Sequence, residues 1–336
     1  MRPFSGFREK VGAGHGLHAK NGFTGGRRRL DWLSRRFGVL MTDAVIRDFA
    51  PAFETQAPAR QVAPIVFNSP HSGQVYPAAF LDQVRLDLTT LRRSEDTDVD
   101  VLFDGVVARG MPLMRALFPR SLVDLNREPY ELDPRMFDGR LPAFANTRSM
   151  RVAGGLGTIP RVVGEAQDIY ARRLPVEEAL ERIERLYKPY HRALRRLLAD
   201  THRAFGEALL VDCHSMPSLA PARDDRPRAD IVIGDRYGTS CDPAITDLVE
   251  TVLAGRGYLV VRNKPYAGGF ITEHYGQPQS GVQAVQIEIN RAIYMDERSY
   301  ERTAGFEPLR ADLMVLAEAL ARYLIGRAGD WRVAAE

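Results

Sequence analysis

Thiols and long apolar runs are both scarce in this 336-residue chain. Cys213 and Cys241 are its only cysteines, too few for a disulfide framework and without zinc-knuckle spacing, which fits a reducing cytosol. No apolar run reaches the roughly eighteen residues that a membrane span requires, so neither a membrane partner nor a spanning helix is expected. Acidic residues are scarce at one end only: residues 1–40 hold nine Lys and Arg against Glu9 and Asp31. The rest of the chain holds 37 Lys and Arg against 41 Asp and Glu, so the basic balance comes from the first forty residues. The body carries no nucleic-acid signature, and a cytoplasmic location is expected. Residues 1–40 are Gly-rich, lack periodicity and contain no long apolar core of a secretory signal. We expect Met41 to be the true start, with residues 1–40 a basic, disordered extension and 41–57 a lead-in.

What is present is ordinary globular material, 45% hydrophobic and 26% charged, with ample length for a large core. Pro64–Asn68, Leu113–Phe118, Ser121–Leu125, Ala208–Val211, Ile231–Asp235, Tyr258–Arg262 and Val282–Asn290 read as strands. Thr97–Arg109 carries Val99, Leu102, Phe103, Val106 and Val107 on one helical stripe. Val176, Leu180, Ile183, Tyr187, Tyr190, Leu194 and Leu197 alternate spacings of four and three, an amphipathic helix against a sheet. His191 and His202 belong to that helix and are read as structural or solvent-facing. Asp242–Gly255 and Thr303–Ile325 are further helices. This alternation gives one α/β domain over 58–328 with a tail at 329–336.

Chemistry gathers at strand ends. The run Ala208–Val211 stops at Asp212, Cys213, His214 and Ser215, and Pro64–Asn68 stops at Ser69, Pro70, His71 and Ser72. Polar residues at the carboxyl ends of buried strands lie where open α/β sheets place ligands. Two such histidines with a carboxylate, Glu95 or Asp96, match the three protein ligands of catalytic zinc. The alternative for both acids is a helix N-terminal charge. In Val282–Asn290, Gln286, Glu288 and Asn290 share one face, which is costly in a covered sheet unless it opens onto a site. Glu288 is the candidate general base. Asn126 and Arg127 can clamp a carboxylate, because guanidinium offers a planar donor fork. Residues 129–170 read as a substrate loop, Arg223–Arg228 as a charged loop, and Asn263–Gly281, with His274, as a wall over a pocket. A Cys213 nucleophile is disfavoured, because nothing nearby stabilises its thiolate.

Asn68-Ser-Pro-His-Ser-Gly73, Ser94-Glu-Asp96, Val123-Asp-Leu-Asn-Arg-Glu-Pro129, Val211-Asp-Cys-His-Ser215 and Gln286-Ile-Glu-Ile-Asn-Arg291, in this order, resemble the N-formylglutamate amidohydrolase family. The resemblance spans about Ile65 to Glu297. It implies a mixed central sheet flanked by helices on both faces, as in zinc carboxypeptidases and the aspartoacylase group (phosphorylase/hydrolase-like). It also implies one zinc ion and hydrolysis of N-formyl-L-glutamate to formate and glutamate in histidine degradation. Carried over by position, it implies metal ligands His71, Asp96 and His214, with Glu95 as the alternative acid. Glu288 becomes the catalytic base, and Asn126 and Arg127 the carboxylate grip. Beside these, we expect Arg291 to hold the second carboxylate or support the oxyanion, and His274 to be a further substrate contact. Three rivals are kept: a zinc amidase for another N-acyl amino acid or peptide, a non-catalytic zinc-containing ligand binder, and nucleic-acid binding through the basic residues 1–40. The oligomeric state and the metal used in the cell are left open.

Overall fold

The structure, a computed structural model, describes residues 45–47, 49–164, 166–218 and 228–334, with side chains as far as residue 327. Residues 1–40 and most of the Arg223–Arg228 loop lie outside the described residues.

Seven strands form the main sheet: β1 (Phe53–Gln56), β2 (Ile65–Ser69), β3 (Leu113–Ala116), β4 (Ala208–Met216), β5 (Ile231–Gly234), β6 (Val260–Arg262) and β7 (Val282–Asn290). Their order is β1-β3-β2-β4-β7-β5-β6. The centre, β3-β2-β4-β7, is parallel, while β1 joins β3 and β5 joins β7 antiparallel. The sheet is therefore mixed, with β2, β4 and β7 presenting their carboxyl ends side by side.

Period-two alternation splits the strands between two hydrophobic cores. On one face Ile65, Phe67, Leu209, Val211, Val285 and Ile287 pack under α1 (Val99–Phe103), with the helices Pro243–Gly255 and Phe306–Ala334 beside it. On the other face Val66, Leu210 and Ala284 pack under the long helical segment Val176–Phe205. That second face changes character along the strands. Register aligns Val66, Leu210 and Ala284 in one row, then Asn68, Asp212 and Gln286, and then His214 with Glu288. The apolar cover stops after the first row, so the polar rows face a cleft. A buried polar row costs free energy unless its members satisfy one another or a ligand.

Several elements depart from their sequence expectation. The stripe over 97–109 folds as two short helices, Val99–Phe103 and Gly105–Ala108, interrupted at Asp104. Ser121–Leu125 is not a strand: Asp124 N–H bonds to the Thr158 carbonyl, outside any sheet ladder. The helix from Val176 runs to Phe205 through a π-helical stretch at Ile183–Tyr187 and ends on Gly206 at φ 86°. Only a residue without a Cβ adopts that left-handed cap freely. The last helix continues through residues 329–334, expected as tail: Gly326 and Gly329 lower its intrinsic propensity without ending it.

Candidate active site

The loop after β2 carries His71, the turn before α1 carries Asp96, and β4 carries His214. A backbone hydrogen bond from Asp96 N–H to the His71 carbonyl (3.0 Å) joins the first two. The rings of His71 and His214 are 4.9 Å apart between centroids. One potential ligand atom from each of His71, Asp96 and His214 lies within 4.8 Å of the others, and all three residues are buried. That is closer than the 5 Å or so beyond which two imidazoles cannot share an ion of ordinary Zn–N bond length.

Each imidazole is oriented through its far nitrogen. His71 Nε2 lies 2.8 Å from Asp124 Oδ1, and His214 Nε2 lies 2.9 Å from Asp212 Oδ2. Both carboxylates are themselves held: Asp124 accepts from Arg120 Nε (2.9 Å) and the Asn126 amide (2.9 Å), and Asp212 accepts from Asn68 Nδ2 (2.7 Å). A carboxylate behind each histidine is the usual outer support of a metal centre, because it fixes the tautomer and aims the free lone pair. The near nitrogens point at the same carboxylate: Asp96 Oδ2 is 3.0 Å from His214 Nδ1 and 3.4 Å from His71 Nδ1. His71 Nδ1 is fully buried and has no hydrogen-bond partner. Such an orphan is costly in a protein interior and is what a cation would satisfy.

Electrostatics agree with the geometry. Burial disfavours the charge on Asp96, yet the hydrogen bond from His214 and the nearby His71 outweigh it and hold the carboxyl well below its usual range. Burial likewise works against a protonated His214, but Asp212 and Asp96 raise its pKa well above the ordinary value. The two carboxylates thus favour positive charge at His214. A divalent cation would meet the same need for positive charge, so the donor set fits one.

Glu288 lies opposite His214 in the β4–β7 register and accepts from Gln286 Nε2 at 2.7 Å. Burial, reinforced by Asp96 and opposed by His214 and Arg120, lifts its pKa to about 7. A carboxylate poised near neutrality suits proton transfer in both directions.

The remaining expected residues divide by what they touch. Glu95 turns away from the cluster: Arg92, Tyr76 and Thr97 satisfy its oxygens at 2.7–3.1 Å. Asn126 is buried with its Oδ1 accepting from Ile271 N–H (2.8 Å), while its Nδ2 lies 3.2 Å from His214 Nε2. Arg291 donates to Ser215 Oγ, the Arg93 carbonyl and Asp96 Oδ1. Arg127 donates from Nε to the Leu156 carbonyl and from Nη1 to the Asn126 carbonyl. Its pKa is lowered to about 10 by burial, so it stays cationic at neutral pH. His274 is not brought into this cleft. It stacks on Phe270 at 4.8 Å and faces a neighbouring cavity, because the helix Phe270–Tyr275 (α2) turns it outward.

The cluster opens onto a cavity of about 420 Å³ lined by Arg93, Arg120, Arg127, Arg151 and Arg291 as well as Glu288. Arg120 was not singled out from the sequence. Its Nε is fixed on Asp124, and among the described residues its two terminal nitrogens have no protein partner. Burial opposes its charge, but Asp124 and Asp96 keep its pKa raised. The Asn263–Gly281 wall arrives through Tyr266 to Gly269, and the 129–170 stretch supplies Leu156, Pro160 and Val162.

At Gly269 the close approach is structural. A Cβ there would fall 2.3 Å from Asn126 Nδ2 and Oδ1. Gly269→Ala is therefore expected to displace Asn126 and lower kcat/KM by about tenfold or more, since misplacement of about 1 Å can cost about 100-fold in a preorganised site. Steady-state kinetics with metal content measured in parallel checks it.

A poised acid–base beside a paired-histidine cluster, at the carboxyl ends of adjacent parallel strands, makes this an α/β enzyme of the hydrolytic kind. Comparison with known proteins narrows the class. The chain belongs to the N-formylglutamate amidohydrolase family, whose profile matches residues 63–295. An N-formylglutamate deformylase of Pseudomonas aeruginosa is 33% identical over 274 residues, 80% of this chain and 93% of that protein. Its counterpart from Pseudomonas putida is 32% identical over 240 residues, 70% and 82% of the respective chains. The crystal structure of N-formylglutamate amidohydrolase from Ralstonia eutropha is 39% identical with a TM-score of 0.77, over 81% of this chain and 98% of that one.

Proposed function

We propose that this protein hydrolyses the formyl amide of N-formyl-L-glutamate, giving formate and L-glutamate, with one divalent ion, zinc by preference, held by His71, Asp96 and His214. The reading rests on the deformylase relatives and on one observation: the orphaned His71 Nδ1 turned toward Asp96 and His214 at the mouth of an arginine-lined cavity. A metal ion in that cluster would supply a Lewis acid for the formyl oxygen and bring water toward ionisation at neutral pH. Glu288 takes the water proton as the oxygen–carbon bond forms. It returns that proton to the amide nitrogen as the carbon–nitrogen bond breaks.

The substrate is a dianion at neutral pH, so the cavity's cations decide its pose. Arg120 offers two free terminal nitrogens, and Arg127 presents the Nη2 edge that lies 3.5 Å from Asp124. These two guanidiniums take the anionic oxygens, by the fork geometry that suits carboxylates. Arg291 and Asn126 act one step back: the first orients Asp96, and the second ties β7 to α2 by donating to Gln286 Oε1 and accepting from the Ile271 N–H. Ranking Arg120 ahead of Arg291 follows from which nitrogens are already committed.

The test is formate release from N-formyl-L-glutamate by the purified, metal-analysed protein, with N-formylaspartate and N-acetylglutamate as competitors and with a chelator. Turnover of N-formylglutamate, abolished by chelation and restored by zinc, is expected; hydrolysis of the acetyl compound alone removes the substrate assignment. Asp124→Asn removes the charge behind His71 and is expected to cost about 10–100-fold in metal affinity or activity. Competition with a chromogenic chelator measures the first, and formate release the second. The cytoplasmic setting is part of the same reading, supported by two buried free thiols.

A further inference from the structure

A second cavity, of about 580 Å³, adjoins the catalytic cleft without sharing a lining residue with it. The two meet at two seams in the chain. Arg127 lines the cleft and Glu128 the second cavity; Gly269 lines the cleft and Phe270 the second cavity.

Its walls have a definite chemistry. Tyr130, Phe144, Tyr187 and Phe270 supply aromatic surface, and Phe144 is 66% exposed, an unusual position for a large apolar ring. Arg192 and Arg195, one turn apart on the helix Lys188–Phe205, enter from the same side. Neither has a carboxylate partner among the described residues, and the one acid in the lining, Glu128, already accepts from Asn146 Nδ2. Arg195 also lies within hydrogen-bond reach of the Tyr275 hydroxyl, and aromatic faces beside two guanidiniums that have no carboxylate suit a flat ring that carries one.

The same walls hold the catalytic segment in place. Tyr187 Oη donates to the Arg127 carbonyl at 2.6 Å. His191 Nε2 donates to the Leu125 carbonyl at 2.9 Å, and its Nδ1 meets Tyr275 Oη at 2.9 Å. Burial lowers the His191 pKa to about 4, so the ring is neutral and that donor role is fixed. Beside Phe270, the Ile271 N–H holds Asn126 Oδ1. Two wall elements, the helical segment Val176–Phe205 and α2, therefore grip Leu125, Asn126 and Arg127.

We propose that this cavity is an effector site for a small planar aromatic carboxylate, whose occupancy is transmitted to the catalytic cleft through Leu125–Arg127. The ring lies among the Tyr and Phe walls and the carboxylate meets Arg192 and Arg195. Binding stands on the cavity alone; transmission to turnover rests on the deformylase reading given above.

Calorimetric titration of the full-length, zinc-loaded protein with 2-naphthoate decides the binding. The wild type is expected to bind, and the exposed double substitution R192Q/R195Q to weaken binding by about tenfold or more through loss of the charge-assisted hydrogen bonds. Cyclohexanecarboxylate, with the same charge and no π face, is expected to bind clearly more weakly. R120Q, which alters the cleft, leaves the naphthoate affinity unchanged. No naphthoate binding by the wild type, or binding lost in R120Q and kept in R192Q/R195Q, overturns the site. Saturating 2-naphthoate is expected to change kcat/KM for N-formylglutamate at least about twofold in the wild type and not in R192Q/R195Q, a coupling of modest size. Binding without any change in kcat/KM overturns the effector role. A protein that binds naphthoate here but never turns over N-formylglutamate refutes the substrate reading and leaves the binding site standing.

Discussion

Replacing Glu288 by Gln is expected to lower kcat for N-formylglutamate hydrolysis by about 10²–10⁴-fold, the usual weight of a positioned general base. The exchange is nearly isosteric, and the amide oxygen can still accept from Gln286 Nε2, so the β4–β7 register and the His71–Asp96–His214 cluster stay in place. Metal content should therefore match the wild type. An unchanged kcat would remove Glu288 from the proton-transfer role, and loss of metal would make it a ligand instead. The pH profile carries a second check. A general base works only when deprotonated, and burial raises the Glu288 pKa to about 7 in the metal-free chain. A cation nearby lowers that value, so kcat/KM should fall on the acid side at or below about pH 7. This limb should vanish from the residual activity of the variant. The stability sign runs opposite to the usual carboxylate case. Because the folded pKa lies above the unfolded one, the native state binds more protons between the two, and metal-free stability falls as pH rises toward 7. At pH 8 the metal-free Glu288→Gln protein should then be the more stable of the two in urea, since it buries no charge at that position.

Much of this site was legible before the fold, and the reason is periodicity. Gln286, Glu288 and Asn290 alternate with Val285, Ile287 and Ile289, and the structure puts the two sets on opposite faces of β7, the apolar set in the core under α1. His71 and His214 each follow an apolar run, and both runs are buried strands with adjacent carboxyl ends. What stayed hidden depends on tertiary approach. Asp124 sits in irregular backbone after β3, and no spacing in sequence connects it to His71, 53 residues earlier. Arg120 has the same difficulty, since its value lies in nitrogens left unpaired after Asp124 has taken Nε. Asp212 is different: two residues before His214 on one strand, it shares that histidine's face, and the period-two rule used for β7 would have found it. His274 was misplaced for a related reason. Gly-rich composition suggested an open wall over the pocket, but residues 270–275 form a helix that divides two cavities and presents His274 to the far one.

Adjacent carboxylates at positions 95 and 96 give the sharpest test of the proposed metal centre, because the chain alone cannot separate them and the fold treats them oppositely. Asp96 aims Oδ2 at both histidines and keeps Oδ1 on Ser215 Oγ (3.1 Å) and Arg291 Nη2 (3.2 Å), a carboxylate steered from behind toward the cluster. Glu95 is saturated by Arg92, Tyr76 and Thr97 and has no oxygen left for an ion. Asp96→Ala is accordingly expected to abolish stoichiometric metal and lower kcat/KM on the order of 10³-fold or more, since both Lewis acid and ionised water go with the ion. Glu95→Ala should keep one metal per chain with little change in kcat. It strands the buried Thr97 hydroxyl and the Arg92 guanidinium, costing about 1–3 kcal/mol of unfolding free energy for the unpaired groups. Metal analysis by mass spectrometry and urea unfolding, run on both variants, separate the roles. Metal retained by Asp96→Ala and lost by Glu95→Ala would exchange the two residues and require the 94–98 turn to be rebuilt around the other acid. Metal lost in both would mean that the Arg92–Glu95 pair is what holds Asp96 in range of the histidines, and Glu95→Gln, which keeps the acceptor oxygen, should then restore it.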